Sequence, residues 1–131
     1  MLFRSLLPVS SWGVVTSGIR SVAEFRLRYT GLPSPAVMIS ANEITRGKPD
    51  PEGYLTAAAR LGYSAADCIV IEDAPAGIES AQAAGMRTLA IATTYPPDRL
   101  RGADAVIARL ADLSVEHAGD EIRISFPASP A

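Results

Sequence analysis

The sequence predicts an α/β fold: a parallel sheet with helices on both of its faces. Three observations predict it. Short apolar, β-branched runs recur along the chain, longer stretches of helical period separate them, and the connections are short.

The first strand closes at Val14-Val15-Thr16, ending an apolar run that begins near Trp12. Ser21 to Tyr29 reads as an amphipathic helix with Val22, Phe25 and Tyr29 near one face. Ala36-Val37-Met38-Ile39-Ser40 is a short buried-strand run. Asp50-Pro51-Glu52 opens the next helix, with Asp as cap, Pro in the first turn and Glu complementing the helix dipole. Gly62 stops that helix after Leu61. Cys68-Ile69-Val70-Ile71 is the strongest strand signal, continuous enough for a strand covered on both faces. Pro75 starts a helix that ends at Gly85, and Thr88 to Ala92 and Ala105-Val106-Ile107 are further strands. Ile122 to Phe126 alternates apolar with polar, which suits an edge strand. Residues 1–126 thus form one domain, and 127–131 read as a tail.

Composition narrows the function classes. A chain of 131 residues fits a single domain and can hide roughly two-thirds of its unfolded surface. Hydrophobic residues at 48% and charged residues at 20% exclude a disordered or collagen-like chain. A net charge of −2 without a basic cluster argues against nucleic-acid and membrane-surface partners. The single cysteine cannot form an internal disulfide, so a reducing, cytoplasmic setting is expected. Met1 to Trp12 is mildly apolar but lacks a small-residue cleavage site, and is not read as a signal peptide. Of the 12 basic residues, only Lys48 is a lysine.

Parallel α/β sheets bind ligands at the carboxyl ends of their strands, and three strand ends stand out. At Thr16-Ser17-Gly18 a hydroxyl and the following backbone N–H groups can hold an anion, or the two hydroxyl residues can simply cap the next helix. In Gly47-Lys48-Pro49-Asp50-Pro51, two prolines fix a loop whose lysine is either aimed at a phosphate oxygen or solvated. At Glu72-Asp73, two adjacent carboxylates end a buried strand. Like charges placed together there call for a cation or for donors, and oxygen ligands suit Mg²⁺. The bland reading has Asp73 capping the helix at Pro75 while Glu72 faces solvent. Four other residues are read as structural or superficial: His117 at the surface, Cys68 in the core, Trp12 in packing, and Arg20 as a solvated helix arginine rather than an anion contact.

The segments Val15-Thr16-Ser17-Gly18, Gly47-Lys48-Pro49-Asp50-Pro51-Glu52-Gly53-Tyr54 and Ile71-Glu72-Asp73-Ala74-Pro75-Ala76-Gly77-Ile78-Glu79 resemble motifs two, three and four of the haloacid dehalogenase (HAD) superfamily. The closest likeness is to its sugar-phosphatase and β-phosphoglucomutase-like branch, and it spans about Trp12 to Leu113. The resemblance implies a Rossmann-like core and transfer of phosphate from a small phosphorylated metabolite through an aspartyl-phosphate, assisted by Mg²⁺. It implies that Thr16 and the Ser17 backbone bind phosphate and that Lys48 bridges phosphate and nucleophile. It makes Asp73 the direct metal ligand and Glu72 a ligand directly or through water.

The first motif of that family, an Asp-x-Asp-Gly-Thr-type segment, has no counterpart here: Asp50, Asp67 and Asp120 are followed by the wrong residues. The chain therefore resembles the carboxyl-terminal part of such an enzyme, lacking the first strand and the cap. The resemblance puts that strand between those carrying motifs two and four. Without it the chain is expected to be inactive alone, with open sheet edges available for self-association.

Overall fold

The computed structural model describes residues 11–127. Strand β1 (Gly13–Val15) pairs in parallel with β2 (Val37–Ile39), Val14 opposite Met38. Helix α1 (Arg20–Tyr29) makes the crossover between them. All three residues of β2 are buried, as the unbroken Val-Met-Ile run requires. Helix α2 (Glu52–Leu61) follows and packs on β1 and β2. It stops at Gly62, where φ of +82° turns the chain left-handed at no side-chain cost.

A second parallel sheet holds β3 (Ile69–Glu72), β4 (Arg87–Ile91) and β5 (Ala105–Ile107) in that spatial order. Helix α3 (Pro75–Ala83) links β3 to β4 and packs on both. The expected parallel architecture is therefore present, but it is divided. Among the described residues β1 and β3 share no ladder, leaving a two-stranded and a three-stranded sheet. Side chains join the two: Tyr54 and Ala58 of α2 pack with Val70, Ala81, Ala84 and Met86, and Val15 of β1 lies against them. Burying a large apolar side chain contributes roughly 1.5–3 kcal/mol, so this cluster holds α2 and its sheet against α3 and its own.

Three expectations change. Strand β3 is not covered on both faces: Val70 and Glu72 are buried while Ile69 is exposed. It is the outer strand of its sheet and so receives cover from fewer sides. The apolar face of α1 also lies open, with Phe25 58% and Tyr29 82% exposed and their rings stacked 5.9 Å apart. The helical period there is right, but the described residues supply nothing to bury it. The last strand, β7 (Glu121–Ser125), does not join the parallel sheet. It forms an antiparallel hairpin with β6 (Ser114–Ala118), a strand the sequence reading missed. Only Val115 anchors β6 in the core beside Leu113, so its apolar signal is weak. Gly119-Asp120 between the two strands is the hairpin signal that could have revealed it.

No helix among the described residues is long and apolar enough to cross a membrane. His117 is exposed on β6, as expected. Cys68 is half-buried against the core, its thiol donating to the Ser64 carbonyl at 3.3 Å.

Candidate phosphate and metal site

The lysine loop is stapled at both ends by its own sequence. The Glu52 carboxylate accepts the backbone N–H groups of Thr45 and Arg46, both at 2.8 Å, and these bonds hold it below the usual carboxylate range. The Asp50 carboxylate accepts the Glu52 N–H at 2.9 Å, so Asp50 holds the first turn of α2 from two residues ahead of the helix's start, with Pro51 between them. The Ser80 hydroxyl of α3 donates to the Asp50 carbonyl at 2.7 Å. Lys48 therefore projects from a loop anchored on two helices, and the Lys48–Pro49 peptide is cis.

Its ammonium reaches across the division between the sheets. Lys48 Nζ donates to the Val15 carbonyl at the end of β1, 3.3 Å away, and to Glu72 Oε1 at the end of β3, 2.5 Å away. An ammonium has three donors, so these two bonds leave one N–H for an incoming oxygen. The solvated-loop reading of Lys48 is thereby set aside, since its side chain is 18% exposed.

Glu72 and Asp73 divide inside from outside. Glu72 is buried and uses both oxygens: Oε1 also accepts the Tyr54 hydroxyl at 2.6 Å, and Oε2 accepts the N–H groups of Asp73 and Ala74 at 3.1 and 3.3 Å. Gly77 makes room for it, because a Cβ there would stand 2.0 Å from Glu72 Cδ. Burial first, and then the charge of Glu72, push the Tyr54 phenol well above its ordinary pKa, so it stays a protonated donor. Asp73 is exposed, and its Oδ2 accepts the Thr94 hydroxyl beyond the end of β4 at 2.6 Å. The bland reading of the acid pair is thus inverted: Glu72 turns inward and Asp73 outward, and no side chain caps α3.

At the end of β1, Thr16 Oγ1 accepts the Gly18 N–H at 3.1 Å, and Ser17 is exposed. Neither caps α1, whose flanking residue is Ile19. Arg20 is not simply solvated. Its guanidinium donates to the Met38 carbonyl at 2.7 Å and pairs with Glu43 and Glu24. The Arg20 N–H binds Asn42 Oδ1 at 3.0 Å and the Ala41 N–H binds the Gly18 carbonyl at 3.1 Å, so the turn after β2 supports the Thr16–Gly18 loop.

The structure thus brings Val15-Thr16, Lys48 and Glu72-Asp73 to adjoining strand ends. Sequence reasoning missed Tyr54 and Thr94. Tyr54 is a polar-tipped aromatic in the first turn of α2, just after the lysine loop. Thr94 lies just past the end of β4, where parallel α/β sheets bind ligands. For a divalent cation the donor set fits in part. Mg²⁺ commonly takes one or two carboxylates and completes its shell with water and phosphate oxygens. Asp73 offers an exposed carboxylate at the right place, and Glu72 lies beside it. The described residues contain no group of three or more acidic, His or Cys ligands.

Residues 10–91 match the haloacid dehalogenase-like hydrolase family. This chain belongs to that family. Among relatives of the HAD chain, hexitol phosphatase A of Escherichia coli is 41% identical over 104 residues, covering 79% of this chain and 48% of that protein. The β-phosphoglucomutase of Bacillus subtilis is 40% identical over 95 residues, covering 69% and 41%. A haloacid dehalogenase-like protein of Agrobacterium tumefaciens superposes with a TM-score of 0.69 at 34% identity, covering 75% of this chain and 49% of that one. The HAD chain therefore spans about half the length of the relatives it matches, and its Rossmann-like α/β fold is that of the family.

Proposed function

We propose that this chain carries the phosphate- and metal-holding half of a phosphatase that acts on a small phosphorylated metabolite in the cytoplasm. The observation that supports it most is the Lys48 ammonium, held at the division between the sheets by Val15 and Glu72 with one donor left over. On this reading Thr16 and the Ser17 backbone bind the phosphoryl group. Lys48 donates to one of its oxygens, a positioned charge of the kind that stabilises a transferring phosphoryl group. Asp73 would hold Mg²⁺ directly and Glu72 directly or through water, and the ion would supply charge neutralisation. The nucleophilic aspartate comes from sequence outside this chain, entering on a strand between β1 and β3. It attacks phosphorus, the substrate alcohol leaves, and water then releases phosphate. The likeness to a phosphoglucomutase supports a second reading, return of the phosphoryl group to a sugar hydroxyl instead of water. Neither reading involves nucleic acid or a membrane.

The test is hydrolysis of p-nitrophenyl phosphate with Mg²⁺. The chain alone is expected to be inert. Fusion to a segment carrying the Asp-x-Asp-Gly-Thr motif is expected to restore turnover that Lys48→Ala abolishes. Turnover by the unfused chain, lost in Lys48→Ala, would overturn the division of labour. A folded fusion that stays inert would overturn the phosphatase reading.

A further inference from the structure

We propose that Tyr54 is a positioning residue that sets how tightly Glu72 holds Lys48. The inference rests on the reading of Lys48 as a phosphate ligand, but its central test does not. Glu72 Oε1 receives two donors, the Lys48 ammonium at 2.5 Å and the Tyr54 hydroxyl at 2.6 Å. The other oxygen is fixed by two backbone N–H groups, and the carboxylate fills the space directly beside Gly77. Glu72 thus cannot turn to relieve competition at Oε1. The hydroxyl shares an oxygen that would otherwise serve the ammonium alone, and both are charge-assisted bonds to the same ionised carboxylate. The Tyr54 ring also lies 5.1 Å from Lys48 Nζ, a second, weaker hold from its apolar face. The result is a lysine kept in place by a divided bond and a ring, free to share itself with an incoming oxygen. A lysine locked in a full ion pair would be aimed but unavailable.

Lys48 is the only lysine of the chain, so its ammonium gives one signal in a lysine-selective ¹H–¹⁵N spectrum. The ligand-free full chain is compared with Tyr54→Phe, which keeps the ring and removes the hydroxyl. The expected result is slower hydrogen exchange of the Lys48 ammonium in Tyr54→Phe, by about fivefold, the equilibrium equivalent of one ordinary hydrogen bond. Replacing tyrosine with 3-fluorotyrosine, a stronger donor of nearly the same shape, is expected to speed exchange, and this arm remains if Tyr54→Phe fails to fold. In a Glu72→Gln background the effect of Tyr54→Phe is expected to vanish. Unchanged or faster exchange in a folded Tyr54→Phe chain overturns the proposal, as does a lower melting temperature with the Lys48 signal unmoved. Titration of the wild-type chain with inorganic phosphate reports separately on Lys48 as an anion ligand. No shift there would count against that role and leave the Tyr54 result standing.

Discussion

Lys48 Nζ lies 2.5 Å from Glu72 Oε1 and 3.3 Å from the Val15 carbonyl, so one side chain spans two sheets that share no backbone ladder among the described residues. The pair is mostly out of water, at 18% and 7% side-chain exposure. Taking two charges out of solvent is expensive, and their attraction offsets that cost only while both are present. Lys48→Met therefore leaves a buried carboxylate with Tyr54 and two N–H donors but no cation. The expected loss is about 2–4 kcal/mol, near the lower part of the range for a broken buried pair because three donors remain. Urea denaturation measures it. An unchanged midpoint would show that the pair does not hold the halves together.

Gly77 is tied to the same carboxylate. Alanine in a helix interior is favoured over glycine by about 1 kcal/mol, so Gly77→Ala would ordinarily stabilise α3. Here the new Cβ would meet Glu72 Cδ at 2.0 Å and displace the carboxylate from its donors. Overpacking of this kind costs about 1–3 kcal/mol before lost hydrogen bonds are counted. Gly77→Ala is expected to destabilise the chain, and to become neutral or stabilising once Glu72 is alanine. A double-mutant cycle gives the answer directly. An equal loss in both backgrounds would locate the clash elsewhere.

Much of this site was legible before any coordinates. Glycine, proline and acid placement around Lys48 and Glu72-Asp73 marked strand ends and helix starts, and the structure finds those elements within a residue or two. The inward turn of Glu72 was not legible. It depends on Tyr54 and Gly77, which lie 18 and 5 residues away and meet it only through the fold. Nor was the openness of α1, because period reports which face is apolar and not whether anything covers it. Strand β6 escaped because Ser114-Val115-Glu116-His117-Ala118 owes its ladder to its partner β7 more than to its own composition.

Acid should loosen the support beneath the Thr16 loop. The Ser40 hydroxyl at 2.6 Å, the Ser40 N–H at 2.7 Å and the Arg20 guanidinium hold the Glu43 carboxyl down to about 2, against an ordinary value of 4.5. A carboxyl depressed in the folded state stabilises it above the unfolded pKa, and that contribution fades as pH falls through the folded one. Stability is therefore expected to decline from about pH 4.5 toward pH 2, and Glu43→Gln should flatten that slope. Glu52, Asp104 and Asp112 are lowered as well and add to the decline, so the difference between the two chains is the informative quantity. Parallel acid curves for wild type and Glu43→Gln would remove Glu43 from the account.

The division between the sheets also bears on how the chain behaves in solution. Among the described residues, strand β1 pairs on one side only and so does β3, leaving two outer edges that carry Val14, Val15, Ile69 and Ile71. Unpaired N–H and C=O groups on such edges are a template for another strand, which proteins usually guard with lysine, proline or a covering element. Neither strand carries a lysine or a proline. Ile69 is 38% exposed on β3, so the edge is apolar as well as open. Without a strand to fill the division, the chain is expected to pair with itself, its sedimentation-average mass rising with concentration. Ile69→Lys places a charge where a guarded edge would have one and should move association to clearly higher concentration without loss of helix signal. A monomer at every concentration would mean that the side-chain bridge from Lys48 to Glu72 closes the division well enough to leave no edge to share.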